Sequence, residues 1–341
     1  MHRVIVVGCG AMSHVWFEAA AARSDLEIVA LVDLDLKRAE DCLARHDLGD
    51  ARAFTDFAKA LRESRADIVF DIAVPSARSA IVRAALESGC HVLSEKPMAE
   101  TLDEARSLVD AARRAGRHHV VIQNRRYLEP VRRIRDFLAN GAIGEVTSTH
   151  CDFFLAPRFG GFREEMAHVL LLDMAVHTFD AARFLTGENA VSVYAEEWEP
   201  ASSWYRQGSS AAALFRMESG ALFSYRGSWC ARGRATPWEA EWRIVGTLGT
   251  LTWDGAERIE AEVADPEHRD GLFETTRSLV VPPLGPDVRV GGHAGVMRDF
   301  LEAIANGRPA ETDGSSNIQT LAMVHGAIQS AETGQRVAIS V

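Results

Sequence analysis

Cysteine is scarce in this 341-residue chain: Cys9, Cys42, Cys90, Cys151 and Cys230 stand far apart, with no C-x-x-C pair among them. That scatter argues against a disulfide framework and a cysteine zinc site, and it suits a reducing, cytoplasmic compartment. Long apolar runs are missing too, and none approaches the roughly 18 residues of a membrane span. No signal-peptide pattern precedes the first strand-like segment, so neither membrane insertion nor secretion is expected. Basic residues are outnumbered, 37 Lys and Arg against 48 Asp and Glu. The resulting formal charge of -11 argues against nucleic acid or an anionic membrane as main partner and leaves small molecules. Internal repeats and low-complexity segments are also lacking.

What remains is an ordinary globular composition, 47% hydrophobic and 25% charged. The chain is longer than the roughly 250 to 300 residues that one core supports, so two domains are expected. Residues 2–7 are a β-branched run, followed by Gly8-Cys9-Gly10-Ala11-Met12-Ser13 and an alanine-rich helical stretch. In such a strand, turn and helix, Gly8 permits the tight turn and Gly10 lets the backbone approach a pyrophosphate. The free N–H groups that open the helix, around Ala11 and Met12, meet the negative charge. Ser13 takes the place of the third glycine of the usual fingerprint. A second apolar strand, residues 27–32, ends on Asp33, at the spacing of a ribose-binding acid that favours NAD and repels the 2′-phosphate of NADP. Lys37 and Arg38 could blur that preference or simply belong to a solvated helix face.

Strand and helix patterns alternate to residue 122, which implies a doubly wound parallel sheet. Val74-Pro75 should lie at the carboxyl end of one strand, and Glu95-Lys96-Pro97 at that of the next. Carboxyl ends of parallel strands border the crevice where such sheets bind ligands. Lys96 is therefore either a surface lysine at a strand end or a group placed for chemistry.

The glycine turn, Asp33, Glu95-Lys96-Pro97 and Asn124-Arg125-Arg126-Tyr127, together with the run LANGAIGEV at 138–146, resemble the family of glucose-fructose oxidoreductase and inositol dehydrogenase. The resemblance spans nearly the whole chain. It implies an α/β protein with an N-terminal Rossmann domain, residues 1–123, and a C-terminal α+β domain, residues 124–341. The second domain would be built on a large, mostly antiparallel sheet serving substrate binding and oligomerisation. It also implies an NAD-dependent oxidoreductase for a sugar, polyol or sugar-acid carbinol. Gly8, Gly10, Ala11, Met12, Asp33, Val74, Pro75, Glu95 and Lys96 would then serve the cofactor. Arg126 would contact substrate or cofactor.

In the second half, residues 170–185 form a mainly apolar helical pattern carrying Asp173, His177 and Asp180 along one stripe. A carboxylate beside a histidine either holds a core residue or prepares a general base. By resemblance, Asp173 and His177 match the catalytic pair that acts with Lys96. Bulky residues stand before Asp173 where the family often has glycines, and His168 could touch substrate or merely cap or pack. A metal held by His168, Asp173 and His177 is conceivable, but no ligand motif is present and none is expected. Six of the seven tryptophans follow residue 189, on strands expected to leave one sheet face bare. A subunit interface in a homodimer or homotetramer is the expected place for most of them. Two rival functions stay open: a redox-assisted glycosidase that holds NAD tightly, and a non-catalytic NAD-binding regulator.

Overall fold

The computed structural model describes residues 1–265 and 267–341 with their side chains. Six parallel strands build the first sheet: β1 (His2–Val7), β2 (Leu26–Val32), β3 (Arg52–Phe54), β4 (Ile68–Asp71), β5 (His91–Ser94) and β6 (His119–Val121). Their order, β3-β2-β1-β4-β5-β6, places the change of winding direction between β1 and β4. The strands are nearly continuous Val, Ile, Leu and Phe because helices cover both faces. The helices α1 (Ser13–Ala21), α2 (Leu36–Arg45), α3 (Phe57–Ser64), α4 (Pro75–Glu87) and α5 (Leu102–Ala115) alternate with them. Local chemistry sets the helix ends: Asp35, Asp56 and Thr101 accept backbone N–H groups at three N-termini, and Gly116 closes α5 in the left-handed region.

The chain forms two compact units, residues 1–127 with 289–318 and residues 128–288 with 319–341. The single division expected at residue 123 thus gives way to a return of the chain into the first unit. Buried Asp299 explains that return, since its carboxylate accepts from Tyr127 Oη at 2.8 Å, Glu311 N at 2.7 Å and Arg308 Nη2 at 2.6 Å. Val296, Met297, Phe300 and Leu301 share an apolar core with Val4, Trp16 and Tyr127.

The second unit opens with α6 (Glu129–Ala139) and β7 (Val146–Phe154), then the short α7 (Phe162–Glu165) and α8 (Val176–Thr186). Its sheet continues through β8 (Ala190–Trp198), β9 (Ser210–Met217), β10 (Leu222–Ser228), β11 (Glu241–Gly246), β12 (Gly249–Trp253), β13 (Ile259–Asp270) and β14 (Phe273–Leu279). After α9 (His293–Asn306) and α10 (Gly314–Thr333), the two-residue β15 (Val337–Ala338) pairs with β8. The nine strands run β14-β13-β12-β11-β7-β10-β9-β8-β15 and pair antiparallel except β7 with β10.

The tryptophans depart from expectation. Trp229, Trp242 and Trp253 are buried in this unit's own core, and Trp204 packs against it; Trp198 and Trp238 remain half exposed. Register explains this: Trp242 and Trp253 are opposite one another on β11 and β12, and both point to the buried side. The opposite face carries Tyr194, Leu214, Ser224, His150 and Arg243 side by side.

Candidate active site

In the first unit the expected cofactor residues converge on the carboxyl edge of the sheet. Gly8 follows β1 with φ +98°, and a Cβ there would stand 2.8 Å from the backbone of Ile72. The fold itself therefore requires glycine at this turn. Gly10 differs, because a Cβ there would meet nothing within 4 Å. Nothing in the chain needs its small size, which fits a ligand approaching the backbone. Ser13 Oγ donates to Gly10 O at 2.7 Å, so the residue in the third glycine's place fastens the turn. At the start of α1 no side chain caps the N–H groups, which leaves a concentration of positive partial charge behind exposed Ala11 and Met12. The start of α4, at Val74-Pro75, is uncapped in the same way. We expect Gly10→Ala to change stability by no more than about 0.5 kcal/mol, yet to weaken NAD binding about tenfold, or ~1.4 kcal/mol. Gly8→Ala should cost at least about 1–2 kcal/mol of stability. Calorimetric unfolding and NAD titration of both variants check this contrast, and normal NAD binding by Gly10→Ala would contradict it.

Asp33 is nearly buried at the end of β2, where Oδ2 accepts from Cys9 N at 2.9 Å and Oδ1 from Asp35 N at 3.0 Å. The acid thereby ties the glycine turn to its own strand. Lys37 pairs with Asp41 on an exposed helix face, but Arg38 turns back to place Nη1 3.4 Å from Asp33 Oδ1. A cation thus stands beside the Asp33 carboxylate. Together these features fit the pyrophosphate and adenosine ribose of a dinucleotide.

Lys96 is half-buried immediately after β5. Preceding it, Glu95 is buried and accepts from Trp16 Nε1 at 2.9 Å and from the Lys96 backbone N at 3.2 Å. His293 Nε2 lies 4.0 Å from the same carboxylate, and burial pushes the histidine's pKa down. These contacts fix the backbone turn from which Lys96 projects. On the other flank, fully buried Asp71 and Arg78 pair at 3.1 Å, and Arg78 Nη1 donates to Pro97 O at 2.7 Å. Desolvation raises the Asp71 pKa to about 6 despite the guanidinium. Removing one partner of such a buried pair typically costs about 3–5 kcal/mol. His119, buried on β6 beside Ser94 Oγ at 3.0 Å, is pushed down to about 3 by desolvation and stays neutral. Arg126 is buried on a single 3-10 turn, Asn124–Tyr127, and its Nη1 donates to Glu311 O at 3.0 Å.

The second unit carries His168, Asp173, His177 and Asp180. Residues Leu170–Ala175 wind as a π-helix before α8 begins, so the single α-helical stripe expected here is broken between Asp173 and His177. Asp180 parts from that stripe: it is buried and accepts from Thr320 Oγ1 at 2.9 Å. From 169 to 183, only Leu172, Asp173 and His177 are partly exposed, the rest being 8% exposed or less. The wide turn therefore brings two polar groups to an opening in an otherwise buried run. Asp173 Oδ2 accepts from Arg163 Nε at 2.7 Å, a partner the sequence does not reveal because it lies in the four-residue α7, too short to show a period. His168 has φ +51° and directs Nδ1 to Glu197 at 2.5 Å and Nε2 to Glu332 at 3.5 Å. Hydrogen bonding to Glu197 raises its pKa. Of the two roles open to His168, this geometry supports packing over substrate contact.

Residues 2–123 match the model of an oxidoreductase family with an NAD-binding Rossmann fold, and residues 131–252 match the GFO/IDH/MocA C-terminal domain. An uncharacterised protein of Sinorhizobium fredii is 30% identical over 349 residues, covering 99% of this chain and 96% of that protein. A D-apiose dehydrogenase of Paraburkholderia graminis is 30% identical over 347 residues, covering 97% and 88%. The fold is shared with an oxidoreductase from Agrobacterium radiobacter solved in complex with NAD+, L-tartaric acid and magnesium. That likeness has a TM-score of 0.85 at 21% identity and covers 99% of this chain and 98% of that one.

Proposed function

The chain belongs to the GFO/IDH/MocA oxidoreductase family, and from that premise we propose that it is an NAD-dependent dehydrogenase acting on the carbinol of a sugar, polyol or sugar acid. The observation that carries this reading is the pair Asp173 and His177, which keep their exposure where the surrounding helix is buried. NAD, when bound, supplies the hydride acceptor. Gly10, Ala11 and Met12 would hold its pyrophosphate through backbone N–H groups on the turn that Gly8 permits, with the Gly8 N–H itself donated to Val32 O at 2.8 Å, and Asp33 would hold the adenosine ribose. Lys96 hydrogen-bonds the reacting oxygen, and His177 accepts the hydroxyl proton at a ring nitrogen. Asp173 stabilises the imidazolium so formed, while its Oδ2 accepts from Arg163 Nε. Glu95 holds Lys96 in place, Arg126 remains a candidate substrate contact, and His168 is assigned to positioning. A D-apiose dehydrogenase among the relatives supports a carbohydrate substrate.

The test is net reduction of NAD by a panel of sugars, polyols and sugar acids. Steady NADH formation supports the dehydrogenase. Conversion of a glycoside without net NADH would favour the redox-assisted glycosidase, and NAD binding without turnover of any kind would favour the regulator.

Arg38 gives the cofactor preference a specific form. Wild type is expected to bind NAD more tightly than NADP, because a 2′-phosphate must displace or face the Asp33 carboxylate. Asp33→Asn should shift the ratio toward NADP, and Arg38→Ala in that background should undo the shift. Titrations of both cofactors decide it, and tighter NADP binding by wild type would overturn the assignment.

Self-association through the second unit's sheet is also proposed, on the face bearing Tyr194 and Leu214, each 39% exposed. Light scattering at micromolar concentration is expected to give at least a dimer. Leu214→Glu should lower the mass, and an unchanged mass would place the interface elsewhere.

A further inference from the structure

The segment before the π-helix, a loop and the short α7, holds two arginines, Arg158 and Arg163, and no acid between residues 157 and 163, within a chain of net charge -11. Arg163 is the one held most firmly. Its guanidinium carbon lies 5.1 Å from the ring centre of Phe159 and 4.9 Å from that of Phe162. Both rings are substantially exposed, at 44% and 55%, so they are not core residues that happen to lie near a charge. Their faces stabilise a planar cation and limit its rotation. Nε donates to Asp173, while Nη1 and Nη2 have no hydrogen-bond partner among the described residues. The side chain is 28% exposed, so that end meets solvent.

A guanidinium presents its donors in a fixed fork. With Nε committed to Asp173, the fork that remains is the Nη pair, the edge that recognises a carboxylate by two parallel hydrogen bonds. The neighbouring cation belongs to the same aromatic cluster: Arg158 stacks 4.0 Å from the centre of Trp204, whose Nε1 donates to Pro157 O at 3.0 Å. Glu164, the nearest following acid, accepts from Gly160 N at 3.1 Å and forms no ion pair with either arginine among the described residues. A plain charge-neutralising partner for Asp173 would need neither the fork nor the two rings.

We infer that Arg163 is the specificity residue for an anionic substrate: a polyhydroxy acid whose carboxylate binds the Nη edge while Asp173, on the Nε side, attends the reacting end. This inference rests on the dehydrogenase reading for the chemistry of the carbinol, but not for the recognition of the carboxylate. A neutral sugar or alditol offers the fork only hydroxyl oxygens, uncharged acceptors that bind it more weakly than a carboxylate does.

The experiment is calorimetric titration of NAD-loaded protein with D-gluconate and D-glucarate, each compared with D-glucitol, in wild type, Arg163→Gln and Arg163→Lys. Wild type should prefer the acids, and Arg163→Gln should weaken acid binding about a hundredfold while weakening glucitol binding, through the loss of the Asp173 partner, by no more than about threefold. Arg163→Lys restores a cation beside Asp173 without the fork, so it should recover only part of the loss. NAD titration of each variant shows that the first unit is intact. Equal binding of acid and alditol by wild type, full recovery by Arg163→Lys, or equal losses for acid and alditol would overturn the inference. Acid-selective, Arg163-dependent binding with no NADH formed from the bound acid would uphold it and sink the dehydrogenase reading instead.

Discussion

Replacing His177 by alanine is expected to lower kcat by about 10² to 10⁴ while leaving NAD affinity unchanged, the usual scale for loss of a positioned general base. Histidine is the side chain whose ordinary titration falls where a base must work at neutral pH, whereas an ordinary lysine remains protonated. His177 is the second residue of α8, just beyond the π-helix, so its backbone is held by the buried run around it. The loss should therefore appear in turnover and not in unfolding temperature. Steady-state kinetics on an active substrate, with calorimetry on the same preparations, separates the two. In wild type, kcat/KM should fall on the acid side as the base becomes protonated, and His177→Ala should remove that limb.

The second large effect is expected at Lys96. Lys96→Ala should lower kcat/KM on the same scale of about 10² to 10⁴, because it removes the donor to the reacting oxygen as charge develops there. Lys96→Arg is the more informative variant, since it keeps a donor and a positive charge but cannot give up a proton. If Lys96 only holds the oxygen, Lys96→Arg keeps measurable turnover and its acid limb still reports His177. A dead Lys96→Arg beside a near-normal His177→Ala would make the lysine the base and reverse the two roles.

The first unit was the more legible part of the molecule. Its parallel strands are short, apolar and separated by helices, three of them with side-chain N-caps, so each element announces itself over fewer than about twenty residues. The glycine turn, Asp33 and Lys96 all stand at strand ends, where a local pattern stops. What escaped was held by distant partners. Asp71 and Arg78 form a pair that fixes Pro97, yet in sequence they are an acid ending one strand and an arginine on the next helix. Asp299 draws its segment back to Tyr127 from 172 positions away. Periodicity also could not distinguish a π-turn from an α-turn at Leu170–Ala175, because the residues on both sides are equally apolar. The tryptophans were misplaced for a related reason: alternation says that a strand has two faces, but not which face its own helices cover.

The central claim is net oxidation of a carbinol with NAD. It is tested most directly by supplying the active substrate deuterated at the reacting carbon and locating the label after turnover in the presence of NAD. The account predicts deuterium on the nicotinamide ring of the reduced cofactor, in amounts matching the oxidised product, and a slower turnover than with unlabelled substrate. Label returned to the sugar, or lost to water with no accumulated NADH, would contradict it.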